Sequence, residues 1–228
     1  MINIVSELST EAVLQVRDLT FRYGSTPVLS ELSLDLYRDD VLLLTGASGA
    51  GKSTLLRVLA RLLEPESGTV LLNGQPREDI DPTRYRRRVA YLQQQPVMVS
   101  GSVRENLLLS FRFGSAEPPS RELLGEMLDR TALSGVSLEQ SAAELSVGQQ
   151  QRIALLRLLL MEPEVLLLDE PTASLDDEAA RLLMEAVAAA REQADRAVLL
   201  VSHNDGGASD VLSPRRAVLR SGHVEEAS

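Results

Sequence analysis

One stretch constrains the fold more than any other: "DDVLLLTGASGAGKSTLLRVLARLLEP", residues 39–65. A short apolar run ends at a glycine-rich loop, and an apolar-periodic stretch begins at once. This predicts a buried strand, a tight loop and a helix over 53–63, stopped by Pro65. Gly46, Ala47, Ser48, Gly49, Ala50, Gly51, Lys52, Ser53 and Thr54 fit GxxxxGK[ST]. At average residue usage that pattern arises by chance in about one chain in a hundred of this size, and the strand–loop–helix context makes chance rarer still. Glycines let backbone N–H groups wrap a phosphate, and the helix dipole adds positive potential there. Lys52 is expected on the β- and γ-phosphates and Ser53 on Mg²⁺. The expected ligand is a nucleoside triphosphate.

Similar apolar strands recur along the chain, separated by helical stretches. Strands are expected in "AVLQVRDLTFRYG", "LSLDLY", "GTVLLNG", "RVAYLQQ", "EVLLLDE" and "RAVLLVSH", and a closing hairpin in "RRAVLRSGHVEE" around Ser221 and Gly222. Helices are expected in "SVRENLLLSFRF", over 120–133 and 146–161, and in "DDEAARLLMEAVAAAREQA". Buried strands alternating with helices mean an α/β sheet covered on both faces. Residues 95–162 carry only helices and loops, which suggests a helical lobe inserted into a core lobe of 1–94 and 163–228, within one domain of 228 residues.

A second acidic site narrows the chemistry. "EVLLLDEP" puts Asp169 at the carboxyl end of a buried strand, where ligands of open sheets sit. Asp169 is expected to hold Mg²⁺ through water, and Glu170 to polarise an attacking water as general base. Either carboxylate alone could be a strand-end cap. A buried carboxylate beside a phosphate, however, needs a cation to justify it. His203 ends "VLLVSH" by the same logic and is expected near the γ-phosphate. Gln94 in "YLQQQPV" also ends a strand, where a neutral amide can ligate Mg²⁺ or the lytic water. Its neighbours Gln93 and Gln95 compete for that role on residue chemistry alone. Tyr23 in "FRYG" could stack on adenine or simply pack.

Composition removes several classes. The chain lacks cysteine, which excludes disulfides and thiolate metal sites. A net charge of -10 argues against nucleic acid, and the short basic run "RYRRR" reads as a solvated turn leading into a strand. The start "MINIVSELSTEAVLQV" has no signal-peptide pattern, and apolar runs such as "VLLL" and "LRLLLM" fall far short of the ~18 residues needed to cross a bilayer. A cytoplasmic chain that meets a membrane only through a partner is expected. Charged residues at 25% and a mean hydropathy of -0.03 fit a folded domain.

In this order the motifs resemble the nucleotide-binding subunit of ABC transporters over nearly the whole chain. The resemblance rests on Tyr23, the Walker A loop from Gly46 to Ser53, Gln94 in "QQP", "LSVGQ", "VLLLDE", "SLD" and His203. "QQP" is similar to the family's Gln-any-Pro and selects Gln94 as the Q-loop glutamine. The resemblance implies a P-loop NTPase fold of ABC type, with an antiparallel β subdomain and an inserted helical lobe. It also implies that two such subunits pair head to tail around two ATP. Ser146, Gly148, Gln149 and Asp176 would then face the ATP held by the partner, which gives a reason for Gly148 in a first helical turn. Val147 departs from the family's usual glycine. "AAELSVGQQQRIALL" also reads as a helix start with a capping box of Ser146 and Gln149.

The implied activity is ATP hydrolysis driving transport through a separate integral membrane permease. "PVMVSGSVRENL" is similar to segments of efflux members, and the compact chain resembles small iron- or metal-efflux ATPases, so export is favoured. The competing reading is a soluble ABC ATPase that moves no substrate, such as an iron–sulphur cluster assembly ATPase.

Overall fold

The strands that are apolar on both faces are used on both faces. The computed structural model describes residues 12–113, 117–173, 175–202 and 211–226. In it, β3 (Val41–Thr45), β6 (Val89–Leu92), β7 (Val165–Asp169) and β8 (Ala197–Val201) form the parallel heart of a six-stranded sheet. The order is β10-β9-β3-β8-β7-β6, where β9 (Arg215–Arg220) runs parallel to β3 and β10 (His223–Glu226) closes an antiparallel hairpin on it. Period-two alternation sorts each strand between two cores. Leu42, Leu44, Val165, Leu167, Leu199 and Val201 enter one, while Val41, Leu43, Leu166, Leu168, Val198 and Leu200 enter the other.

The first core is closed by α1 (Lys52–Leu59) and by a four-stranded antiparallel sheet. That sheet has the order β2-β1-β4-β5, from β1 (Ala12–Tyr23), β2 (Thr26–Tyr37), β4 (Ser67–Leu72) and β5 (Gln75–Pro76). Asn73 and Gly74, both at positive φ, make the two-residue turn from β4 to β5. The second core is closed by α6 (Asp177–Ala194) and one side of α5 (Val147–Leu159). The third lies away from the sheet, among α3 (Val103–Leu107), α4 (Arg121–Arg130) and the other side of α5. α5 therefore feeds two cores: Ala154 and Leu155 pack toward the sheet, and Ile153 and Leu156 toward α3 and α4.

Three expectations need correction. The helix after the glycine loop ends at Leu59 rather than 63. Arg61 takes φ 56°, and the amides of Arg61 and Leu62 donate back to the carbonyls of Val58 (3.0 Å) and Arg57 (2.8 Å), so a left-handed backbone cap ends the helix before Pro65 acts. The Arg61 guanidinium donates to the carbonyls of Arg77 (2.9 Å) and Ile80 (2.7 Å). The "RYRRR" run is the end of a helix, α2 (Pro82–Arg88), not a turn. Asp81 caps it, accepting from the Thr83 and Arg84 amides, and Pro82 fills the first turn. Tyr85 within the run is fully buried, its hydroxyl donating to the Leu59 carbonyl at 2.8 Å. "SVRENLLLSFRF" divides into α3 and a 3-10 turn over Leu109–Phe113. No helix among the described residues is long and apolar enough to cross a membrane.

Candidate functional site

The site begins where β3 ends. Gly46 sits at φ 149° over β9, and a Cβ there would lie 2.5 Å from the Leu219 carbonyl oxygen. Gly51, at φ 102°, is tight as well: its Cβ would meet Val28 Cγ1 of β2 at 2.8 Å. The loop's curvature is thus set by packing against both sheets. Gly51 also caps α1 without a side-chain hydrogen bond, so no side chain competes for the first-turn N–H groups that suit an anion.

Lys52 opens α1 and is only 5% exposed. Its ammonium curls under the loop, donating to the carbonyls of Gly46 (2.7 Å) and Ala47 (3.0 Å). Burial pushes the Lys52 pKa below that of an ordinary lysine, while the charges of Glu170 and Asp169 push it back up. Lys52 is also the chain's only lysine, a fact that a motif match passes over.

Ser53 Oγ donates to Asp169 Oδ1 at 2.9 Å, joining the start of α1 to the end of β7. Asp169 is 2% exposed, and its second oxygen, Oδ2, accepts from the Tyr91 hydroxyl at 2.8 Å. Burial, the charge of Asp169 and this bond raise the Tyr91 pKa to about 12, against the opposing effect of Arg57, so the phenol stays a donor. The next residue, Glu170, turns the backbone through φ 46° and donates its amide to the Val201 carbonyl (2.9 Å). Its Oε2 accepts from Gln94 Nε2 at 3.1 Å. Gln94 and Gln95 are both exposed, and Gln93 uses its backbone oxygen, which accepts from Gln151 Nε2 at 3.4 Å. Of the three glutamines, Gln94 is the one bonded to Glu170.

Tyr23 is 49% exposed at the end of β1, edge-on to Phe21 with ring centres 4.9 Å apart. Arg57 of α1 lies against both Tyr91 and Tyr23, which brings Tyr23 to the glycine loop's helix. His203 falls outside the described residues.

Ser146 and Gln149 form the expected capping box. The Gln149 amide donates to Ser146 Oγ (3.2 Å), and the Ser146 amide donates to Gln149 Oε1 (2.9 Å). Gly148 has a neighbour in its own chain, because a Cβ would approach Leu175 Cδ2 at 3.0 Å. Val147 is 53% exposed. Asp176 caps α6, its Oδ1 accepting from the Ala179 amide at 2.8 Å. The structure therefore brings Lys52, Ser53, Gln94, Asp169 and Glu170 to one place, and sets Ser146, Gly148 and Gln149 on a separate helix whose first-turn bonds are local. Sequence reading missed Tyr91, although a phenol within the apolar "VAYL" strand was a signal.

The donor set fits a nucleoside triphosphate accompanied by a cation. Two glycine positions leave no room for a Cβ, a buried ammonium rests only on backbone carbonyls among the described residues, and a hydroxyl is paired with a buried carboxylate. No group of three or more His, Cys, Asp or Glu could hold a metal among the described residues. A cation here would draw most of its ligands from phosphate and water, as Mg²⁺ does.

The family model described as ABC transporter matches residues 29–173, a span holding all of these residues except Tyr23, Asp176 and His203. The chain belongs to the ABC transporter family. An ABC relative from Escherichia coli (strain K12), the "Probable iron export ATP-binding protein FetA", is 35% identical over 192 residues, covering 84% of this chain and 85% of that protein. "ABC transporter I family member 17" of Arabidopsis thaliana is 37% identical over 199 residues, covering 86% and 74%. Other ABC relatives are far longer: this chain spans 15% of "ABC-type transporter kk1G" of Curvularia clavata, at 36% identity and 83% coverage of this chain. A solved structure, "Structure of ATP binding subunit of ABC transporter", superposes with a TM-score of 0.82 at 29% identity, covering 93% of this chain and 88% of that one. The fold is that of an ABC ATPase, a P-loop NTPase, and the chain is an ATP-binding, ATP-hydrolysing member of the ABC transporter family.

Proposed function

We propose that this ABC ATPase binds two ATP between two subunits, hydrolyses them with Mg²⁺, and drives substrate export through a separate integral membrane permease. The observation that carries this reading is the bonded group Ser53–Asp169 and Gln94–Glu170 beside Lys52. Lys52 would hold the β- and γ-phosphates, and Ser53 and Asp169 would hold Mg²⁺, which neutralises developing charge on the phosphates. Glu170 would take a proton from the attacking water, with Gln94 holding its carboxylate in place and contributing toward Mg²⁺ or the water. His203 would complete the γ-phosphate contacts and Tyr23 would stack on adenine. Ser146, Gly148 and Gln149 would meet the partner's ATP, joined by Asp176.

The printed name of FetA, "Probable iron export ATP-binding protein", supports export over import. A neighbouring solved structure is titled as part of a complex, cbiONQ, which supports a separate permease partner. Residues 95–162 would form the lobe that the permease engages. A cavity of about 760 Å³ lies between this lobe and α6, lined by Met127, Leu159 and Met161 from the lobe, by Ala186 from α6, and by the charged Arg87 and Glu185. With no nucleic acid involved, the chain would sit at the inner face of the membrane through this partner.

The test is Glu170→Gln. This variant should bind ATP, hydrolyse it about 10²–10⁴-fold more slowly, and accumulate as an ATP-bound dimer on gel filtration. An active, monomeric variant would overturn the proposal.

A further inference from the structure

We propose that Tyr91 is a positioning residue for Asp169: its hydroxyl holds Oδ2 so that Oδ1 stays turned toward Ser53 and the Mg²⁺ site. This rests on the reading that Ser53 and Asp169 hold the cation. An aspartate's terminal torsion is broad, so a carboxylate with one donor can swing. Here each oxygen has its own side-chain donor, Ser53 Oγ at 2.9 Å and the Tyr91 hydroxyl at 2.8 Å, and the residue is almost fully buried. Two donors on opposite oxygens fix both the plane and the direction of the carboxylate.

Sheet register delivers the phenol to that oxygen. β6 pairs in parallel with β7, placing Tyr91 opposite Leu167. Leu167 and Asp169 are two residues apart and share a strand face, so the phenol needs only to lean one step toward the strand's carboxyl end. The phenol is also reached from α1. Arg57 lies four residues after Ser53, hence on the same helix face, and lies against Tyr91. The cation pair is thus supported from β6 and α1 together.

The experiment is Tyr91→Phe, which keeps the ring and removes only the hydroxyl. Outer-shell partners of metal ligands typically set affinity by 10–100-fold, so the Mg²⁺ concentration for half-maximal ATPase activity should rise by about tenfold or more. The Mg²⁺ dependence of ATP-induced thermal stabilisation should shift alike, while ATP binding in EDTA stays unchanged. Tyr85→Phe is the control, since its hydroxyl serves only the Leu59 carbonyl in the core. It should lower Tm and leave the Mg²⁺ requirement alone. An unmoved Mg²⁺ requirement in soluble Tyr91→Phe overturns the proposal.

Asp169→Asn separates the two readings. Losing the Mg²⁺ response there while Tyr91→Phe keeps it sinks the role of Tyr91 alone, whereas keeping it in both sinks the assignment of Asp169. Should Tyr91→Phe not fold, the unaltered protein still decides. With four tyrosines and no tryptophan, adding Mg²⁺ to ATP-loaded protein should give a tyrosine near-ultraviolet difference band that persists in Tyr23→Phe. Absence of that band counts against the proposal.

Discussion

Lys52 stands alone among 23 lysines and arginines, and this makes the phosphate site chemically addressable. An amine-acylating reagent has only Lys52 and the chain's α-amine to attack. Burial lowers the Lys52 pKa, so its neutral, reactive form accumulates at lower pH than in an ordinary lysine of pKa 10.5. The pH profile of labelling should therefore inflect below that value, as read by peptide mapping of the Lys52 fragment. Saturating MgATP should slow this labelling about tenfold or more, because the ammonium would leave the Gly46 and Ala47 carbonyls for phosphate. Labelling indifferent to ATP would detach Lys52 from the nucleotide. Gly46→Ala is the steric counterpart. A Cβ 2.5 Å from a backbone oxygen cannot be relieved by a side-chain rotation, so the loop or β9 must move. We expect a loss of about 2 kcal/mol or more in denaturant unfolding, together with weakened ATP binding.

At the level of elements, two helices share one device and differ in what it serves. Ser102 and Glu105 cap α3 reciprocally as Ser146 and Gln149 cap α5. Replacing either serine by alanine should cost about 1 kcal/mol of stability. Only Ser146→Ala should also abolish the ATP-dependent dimer, measured in the Glu170→Gln background. Equal loss of dimer in both variants would mean that Ser146 acts only as a cap. The α5 capping box, the glycine loop and the buried strands were legible because each is written in a few consecutive residues, whereas the α3 box of Ser102 and Glu105, written the same way, was missed. The α2 helix was misread as a turn, because its arginines masked the signals of "DP" and Tyr85. What escaped were effects of register and distance. Tyr91 meets Asp169 across 78 residues of chain, and the Arg61 guanidinium, just past the end of α1, reaches the carbonyls of Arg77 and Ile80. Gly148, read from sequence as an opening for a partner's phosphate, also lies against Leu175 of its own chain, linking α5 to the segment before α6.

For the whole molecule, charge opposes the pairing that ATP is proposed to drive. Each chain carries -10, and two copies repel over distances that salt screens, about 30 Å at 0.01 M and about 8 Å at 0.15 M. Raising salt across that range should tighten the ATP-held Glu170→Gln dimer several-fold by sedimentation, and weakening instead would mean that opposite charges face each other across the interface. The closing hairpin carries a different consequence. Gly46 presses on Leu219 of β9, Gly51 on Val28 of β2, and Gly222 sits against Ser30 of β2, whose amide donates to the Gly222 carbonyl at 3.1 Å. The loop, the antiparallel sheet and the last hairpin form a closed ring of contacts. Filling the loop should therefore slow amide hydrogen exchange in β9 and β10, and a fluorophore placed beside Glu226 would sense ATP from a position that never touches it.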